Sequence, residues 1–155
     1  MRVFVSSLNV PIGYSTPDFP SLYWPIGAHQ QKYQESFLYY SFDIWKFTVY
    51  WTLILFGGVY STVGVISLAH NLFSSYRHRL PISKLSMAVN ITTMALCIFI
   101  GLFRGFISSA VIGIMLGAIY KAGSLTMSTW IPLSWGCAQV LFDICTSYST
   151  SSILL

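Results

Sequence analysis

The chain has 155 residues, 55% of them hydrophobic and 8% charged, with eight basic and four acidic side chains and a net charge of +4. A soluble domain carries roughly a quarter of its residues as Asp, Glu, Lys or Arg, so these charges are too few to cover a water-facing surface. Hydrocarbon asks for no charge against it, and the composition therefore predicts an all-α integral membrane protein and argues against a soluble domain.

Residues 1–43 form an irregular N-terminal arm rich in proline and aromatic residues. Pro11, Pro17, Pro20 and Pro25 forbid a long helix, and Tyr14, Phe19, Tyr23 and Trp24 lie among them. Val3 and Val5 alternate as in a short strand, which could extend the edge of a partner's sheet through main-chain hydrogen bonds. Val3, Val5, Tyr14, Phe19, Tyr23 and Trp24 are thus the candidate partner-binding residues of the arm. From His29 to Tyr40 the aromatics Tyr33, Phe37 and Tyr40 recur at helical spacing, which predicts a short interfacial helix.

The first spanning region is expected over about residues 44–70. Twenty-seven residues at a rise of ~1.5 Å reach about 40 Å, enough for a bilayer core of ~30 Å. Trp45, Lys46, Tyr50 and Trp51 crowd its start, where amphipathic side chains anchor at headgroup level. A linker follows, and its Arg77, Arg79 and Lys84 are candidates for contact with lipid headgroups. Their charge predicts a cytosolic linker and a lumenal arm.

The second apolar stretch, residues 85–120, would measure about 54 Å as one helix. Gly101 and Gly105 flank Arg104 near its centre, and glycine there favours a break. A broken element is the preferred reading, giving four spans if the break makes a hairpin and three if the helix merely bends. The last span is expected over residues 131–154, with Ser128 or Thr129 as N-cap and Pro132 in its first turn. The membrane domain is therefore 44–155, a small bundle of three spanning regions with the middle one long and broken.

Gly101, Gly105, Ser109, Gly113 and Gly117 follow one another every four residues. Small residues at that interval let another helix approach closely, which is the main glue between helices in lipid. Packing against the first or last span is favoured over a partner-binding face. Arg104 and Asp143 are the charges set deepest in apolar sequence, and each costs ~2.5–3.5 kcal/mol at a helix centre on insertion scales. They could pair if Arg104 lies at membrane depth. Otherwise Arg104 surfaces and Asp143 must find Gln139 or a hydroxyl.

His29, His70 and His78 lack metal-ligand spacing, and Cys97, Cys137 and Cys145 have no CxxC pattern. No metal site is expected, and no cofactor beyond a bound phospholipid. No nucleophile, base and orienting group come together in sequence, so an enzyme is not expected. The basic residues form no stripe interleaved with stacking aromatics, which argues against nucleic acid as a partner.

From about Trp45 to its end the chain resembles the transmembrane protein 170 family. The resemblance rests on WKFTVYW in the first span, SYRHRLP in the linker, SSAVIGIMLGAIYKAG in the middle stretch and WGCAQ in the last helix. Ala118, Tyr120, Ala122 and Gly123, followed by Gly136 and Gln139, are its most specific positions. The chain departs from the family pattern in the length of the middle stretch, in Asp143 and throughout residues 1–43.

The resemblance implies a non-catalytic protein of the endoplasmic reticulum membrane and nuclear envelope, tied to membrane shape and lipid homeostasis. It further implies an accessory role beside bridge-like lipid transfer proteins. The expected function is an anchoring subunit of a larger membrane assembly, with lipids and one larger membrane protein as partners. A self-associating membrane shaper is the first alternative. A small proton-linked carrier built on Asp143 and Arg104 is the second.

Overall fold

A computed structural model of the protein describes residues 14–22, 37–77 and 84–153. The described chain consists of β1 (Phe37–Leu38), α1 (Ser41–Arg77), α2 (Lys84–Ala122), β2 (Met127–Ser128) and α3 (Trp130–Ile153). At ~1.5 Å per residue the three helices are about 55, 58 and 36 Å long.

Helix α1 opens with Asp43 in its first turn and closes with Arg77 in its last, each opposite in sign to the nearby end of the helix dipole. Within it Thr48, Thr52 and Thr62 each donate a hydroxyl proton to the carbonyl four residues back, at 2.8 Å. Thr92 and Thr93 do the same in α2. Such bonds leave few polar groups open, as an apolar solvent requires.

Helix α2 ends in a Schellman motif. Leu125 N–H donates to the Tyr120 carbonyl at 3.0 Å and Ser124 N–H to the Lys121 carbonyl at 3.2 Å. The left-handed residue is Ser124, with φ 48°, one place beyond Gly123.

Helix α1 packs along both other helices, while α2 and α3 scarcely touch backbone to backbone. At one end of the bundle β1 pairs antiparallel with β2, Phe37 opposite Ser128 and Leu38 opposite Met127. This ladder ties the segment before α1 to the loop before α3. Leu38 and Met127 are wholly buried there, in a cluster with Ile44, Phe47 and Leu116.

Elsewhere the molecule is apolar outside and polar inside. Thr48, Thr52, Ser109, Thr129 and Gln139 are buried, whereas Ile54, Ile66, Phe99, Phe103, Ile114 and Ile119 are exposed. A protein folded in water does not expose a continuous apolar surface of this size, and hydrocarbon would favour it. Both α1 and α2 are long and apolar enough to cross a bilayer. Helix α3 has the length, but Ser134, Gln139, Asp143, Thr146 and Ser147 dilute its apolar character.

Three expectations need correction. The middle stretch is not broken near residues 101–105: α2 runs without interruption from Lys84 to Ala122, which removes the four-span arrangement among the described residues. The glycines there accommodate side chains of α1 and leave the helical backbone intact. Second, the interfacial helix expected to reach Tyr40 gives way to a strand at Phe37–Leu38, because β2 supplies hydrogen bonds that no local pattern announces. Third, the first helix begins at Ser41 and continues to Arg77, outrunning the expected 44–70 at both ends.

Candidate functional site

The polar residues of the bundle converge on one seam where the three helices meet. Arg104 of α2 and Asp143 of α3 form an ion pair, Nη2 to Oδ1, of 2.7 Å. Tyr60 of α1 donates its hydroxyl proton to the second carboxylate oxygen, Oδ2, at 2.8 Å. Both oxygens of Asp143 are therefore engaged, one by each neighbouring helix. Asp143 is 14% exposed, but Arg104 is 54% exposed, so the acid is enclosed while the guanidinium keeps one open side.

One turn away lies a second rung. Ser108 donates to Gln139 Oε1 at 2.8 Å, and Gln139 Nε2 points to Thr52 Oγ1 at 3.4 Å. Arg104 and Ser108 are four residues apart on α2, as are Gln139 and Asp143 on α3, and the matched spacing puts both pairs on facing helix sides. These two rungs join α2 to α3, which otherwise meet little. In hydrocarbon each unsatisfied polar group costs several kcal/mol, so the rungs hold α2 and α3 in a fixed register.

The small-residue ridge of α2 faces α1. A methyl group at Gly105 would stand 2.8 Å from Phe56 Cγ, and one at Gly113 would stand 2.9 Å from Trp45 Cδ1. At Gly101 it would meet the Tyr60 ring, and at Gly117 it would stand 3.2 Å from the Ser41 carbonyl oxygen. Ser109 is fully buried and returns its hydroxyl to the Phe106 carbonyl at 3.0 Å. The ridge is thus the seat for the aromatic side of α1, and Gly101 places Tyr60 for its bond to Asp143.

The proposed arm and linker residues fare differently. Phe19 packs against the rings of Phe47, Tyr50 and Trp51, with centroids 5.1–5.6 Å apart. Tyr14 donates its hydroxyl to the Phe37 carbonyl at 2.8 Å and lies edge-on to Tyr39. Burial, with Asp43 nearby, pushes the Tyr14 hydroxyl up to about 12. Both residues are engaged by their own chain. Val3, Val5, Tyr23 and Trp24 lie outside the described residues, as does Arg79. Arg77 is exposed in the last turn of α1, and Lys84 is the first residue of α2.

Arg104, Gln139 and Asp143 are legible in sequence as polar residues in apolar surroundings. Tyr60, Ser108 and Thr52 are their partners, and sequence reasoning missed them. The signal available was a hydroxyl inside an apolar run, which alone does not say which helix it faces. Among the described residues no cluster of His, Cys, Asp or Glu could hold a metal ion. The described cysteines are free and exposed on the helices.

A sequence model described as transmembrane protein 170A/B-like matches residues 37–155. The chain is 43% identical over 149 residues to the uncharacterized protein YPR153W of Saccharomyces cerevisiae, covering 96% of each. No solved structure matches it.

Proposed function

Since the chain belongs to the transmembrane protein 170A/B-like family, we propose that it is a non-catalytic, multi-pass protein of the endoplasmic reticulum membrane and the continuous nuclear envelope. It anchors a larger assembly there, of the bridge-like lipid transfer kind. In this reading α1, α2 and α3 all cross the bilayer. The basic linker between α1 and α2 lies in the cytosol, as the excess of Arg and Lys favours, and the N-terminal arm lies in the lumen.

The observation that carries the anchoring role is surplus helix. A bilayer core takes up about 20 helical residues, whereas α1 has 37 and α2 has 39. Untilted, the α1–α2 hairpin therefore overruns the core by about 25 Å. Helix α3, with 24 residues, overruns it little. The surplus carries exposed Phe73, Tyr76, Met87 and Val89 next to the basic linker. Apolar side chains on a projecting hairpin suit a protein partner better than water.

Self-association through the glycine ridge loses its main support, because α1 occupies that ridge. Purification of the tagged chain in mild detergent tests the anchoring role. A stoichiometric larger partner should accompany it, and Phe73→Glu with Tyr76→Glu should release that partner while the chain stays inserted. Recovery of the free chain alone, from membranes other than the reticulum, refutes the proposal.

A further inference from the structure

The end of the bundle that carries Lys121 has a lateral groove of about 520 Å³ between α1 and α2. Phe42 and Trp45 of α1, stacked at 5.9 Å, form one wall. Gly113, Ile114 and Ala118 of α2 form the floor and opposite wall, and Lys121 stands at one end. The groove exists because α2 places small residues where bulky ones would meet the Trp45 side chain. Its volume falls within the ~300–1,000 Å³ typical of small-ligand pockets.

Length and charge select the occupant. Ala110 and Lys121 are both lining residues, and eleven residues of helix span about 17 Å, so a single extended hydrocarbon chain can lie along the groove with its head at one end. Charge selects the head of that chain. Lys121 is exposed in the last turn of α2, and among the described residues it has no ion pair. Phe42, Trp45 and Lys46 begin α1 at the same end, where tryptophan and lysine mark headgroup level. The groove therefore runs from the headgroups into the hydrocarbon, with its cation at the headgroup end.

We infer that this groove seats one acyl chain of an anionic glycerophospholipid whose phosphate is held by the Lys121 ammonium. The inference rests on the membrane reading above but not on the anchoring role. Native mass spectrometry of the full chain, released from nanodiscs of equal phosphatidylcholine and phosphatidylglycerol, tests it. One phospholipid should remain bound, with phosphatidylglycerol enriched about fivefold, as one lysine near the surface provides. Lys121→Gln should abolish the enrichment, and Lys46→Gln, outside the groove, should keep it. Ala118→Trp fills the groove from an exposed position and should remove the adduct while helical circular dichroism is unchanged. Equal retention of both lipids by the native chain, or enrichment surviving Lys121→Gln, overturns the site. A two-chain species lost in Ala118→Trp overturns it in favour of self-association. Failure to enter the nanodisc defeats the membrane reading and the site together, whereas insertion without selectivity defeats the site alone.

Discussion

Gly101 links the helix-packing ridge to the ion pair, and adding one methyl group there tests that link. In Gly101→Ala the new Cβ would come within 2.7 Å of Tyr60 Cδ1 and closer still to Cγ. No real contact of this kind persists, so the Tyr60 ring must move. Its hydroxyl then leaves Asp143 Oδ2, now 2.8 Å away. Overpacking a fitted interface costs about 1–3 kcal/mol, and a hydrogen bond to a charged group contributes about 1.5–3 kcal/mol. Against this, alanine in place of a mid-helix glycine recovers roughly 0.5–1 kcal/mol. The expected net loss is about 1.5–5.5 kcal/mol.

Gly58 provides the control, since a methyl there meets nothing within 4 Å. Gly58→Ala should match or exceed the native stability by up to about 1 kcal/mol. Reversible unfolding in mixed detergent micelles, followed by helical circular dichroism, measures both variants. Adding Tyr60→Ala to Gly101→Ala should cost less than the sum of the single changes, because the clash has gone. Equal stability of Gly101→Ala and Gly58→Ala would refute the coupling of ridge to seam.

Three other outcomes are expected. Asp143→Asn should destabilise the bundle by about 2–3 kcal/mol by leaving Arg104 uncompensated, and Arg104→Leu with Asp143→Leu should recover most of that loss. A double variant as unstable as Asp143→Asn in the same unfolding assay counts against the pair as the reason. Ser124→Gly should stabilise by about 1 kcal/mol, because Ser124 is left-handed at the α2 C-terminus and only glycine is free of strain there; a lower melting temperature contradicts this. The Tyr14 hydroxyl is raised from 10.0 to about 12 in the folded chain, so its contribution is complete below pH 10 and is lost as the pH rises to 12. Proteolytic protection of residues 14–22 should fall across that window in the native chain and show no such Tyr14 step in Tyr14→Phe.

The helical character and approximate position of the long segments follow from sequence, because apolar side chains in unbroken runs leave the backbone little alternative to intrahelical bonding. The small-residue interval on α2 and the exceptional status of Arg104, Gln139 and Asp143 are equally local, and so were legible. Tertiary structure decided the rest. Whether Gly101 and Gly105 interrupt a helix or receive another one depends on Phe56 and Tyr60, more than forty residues earlier in the chain. The β1–β2 ladder joins two dipeptides with no strand signal of their own. Asp143 finds Arg104 and Tyr60 only after three helices are in register. Periodicity along one helix says which residues share a face, but the partner of that face is fixed by packing between segments far apart in sequence.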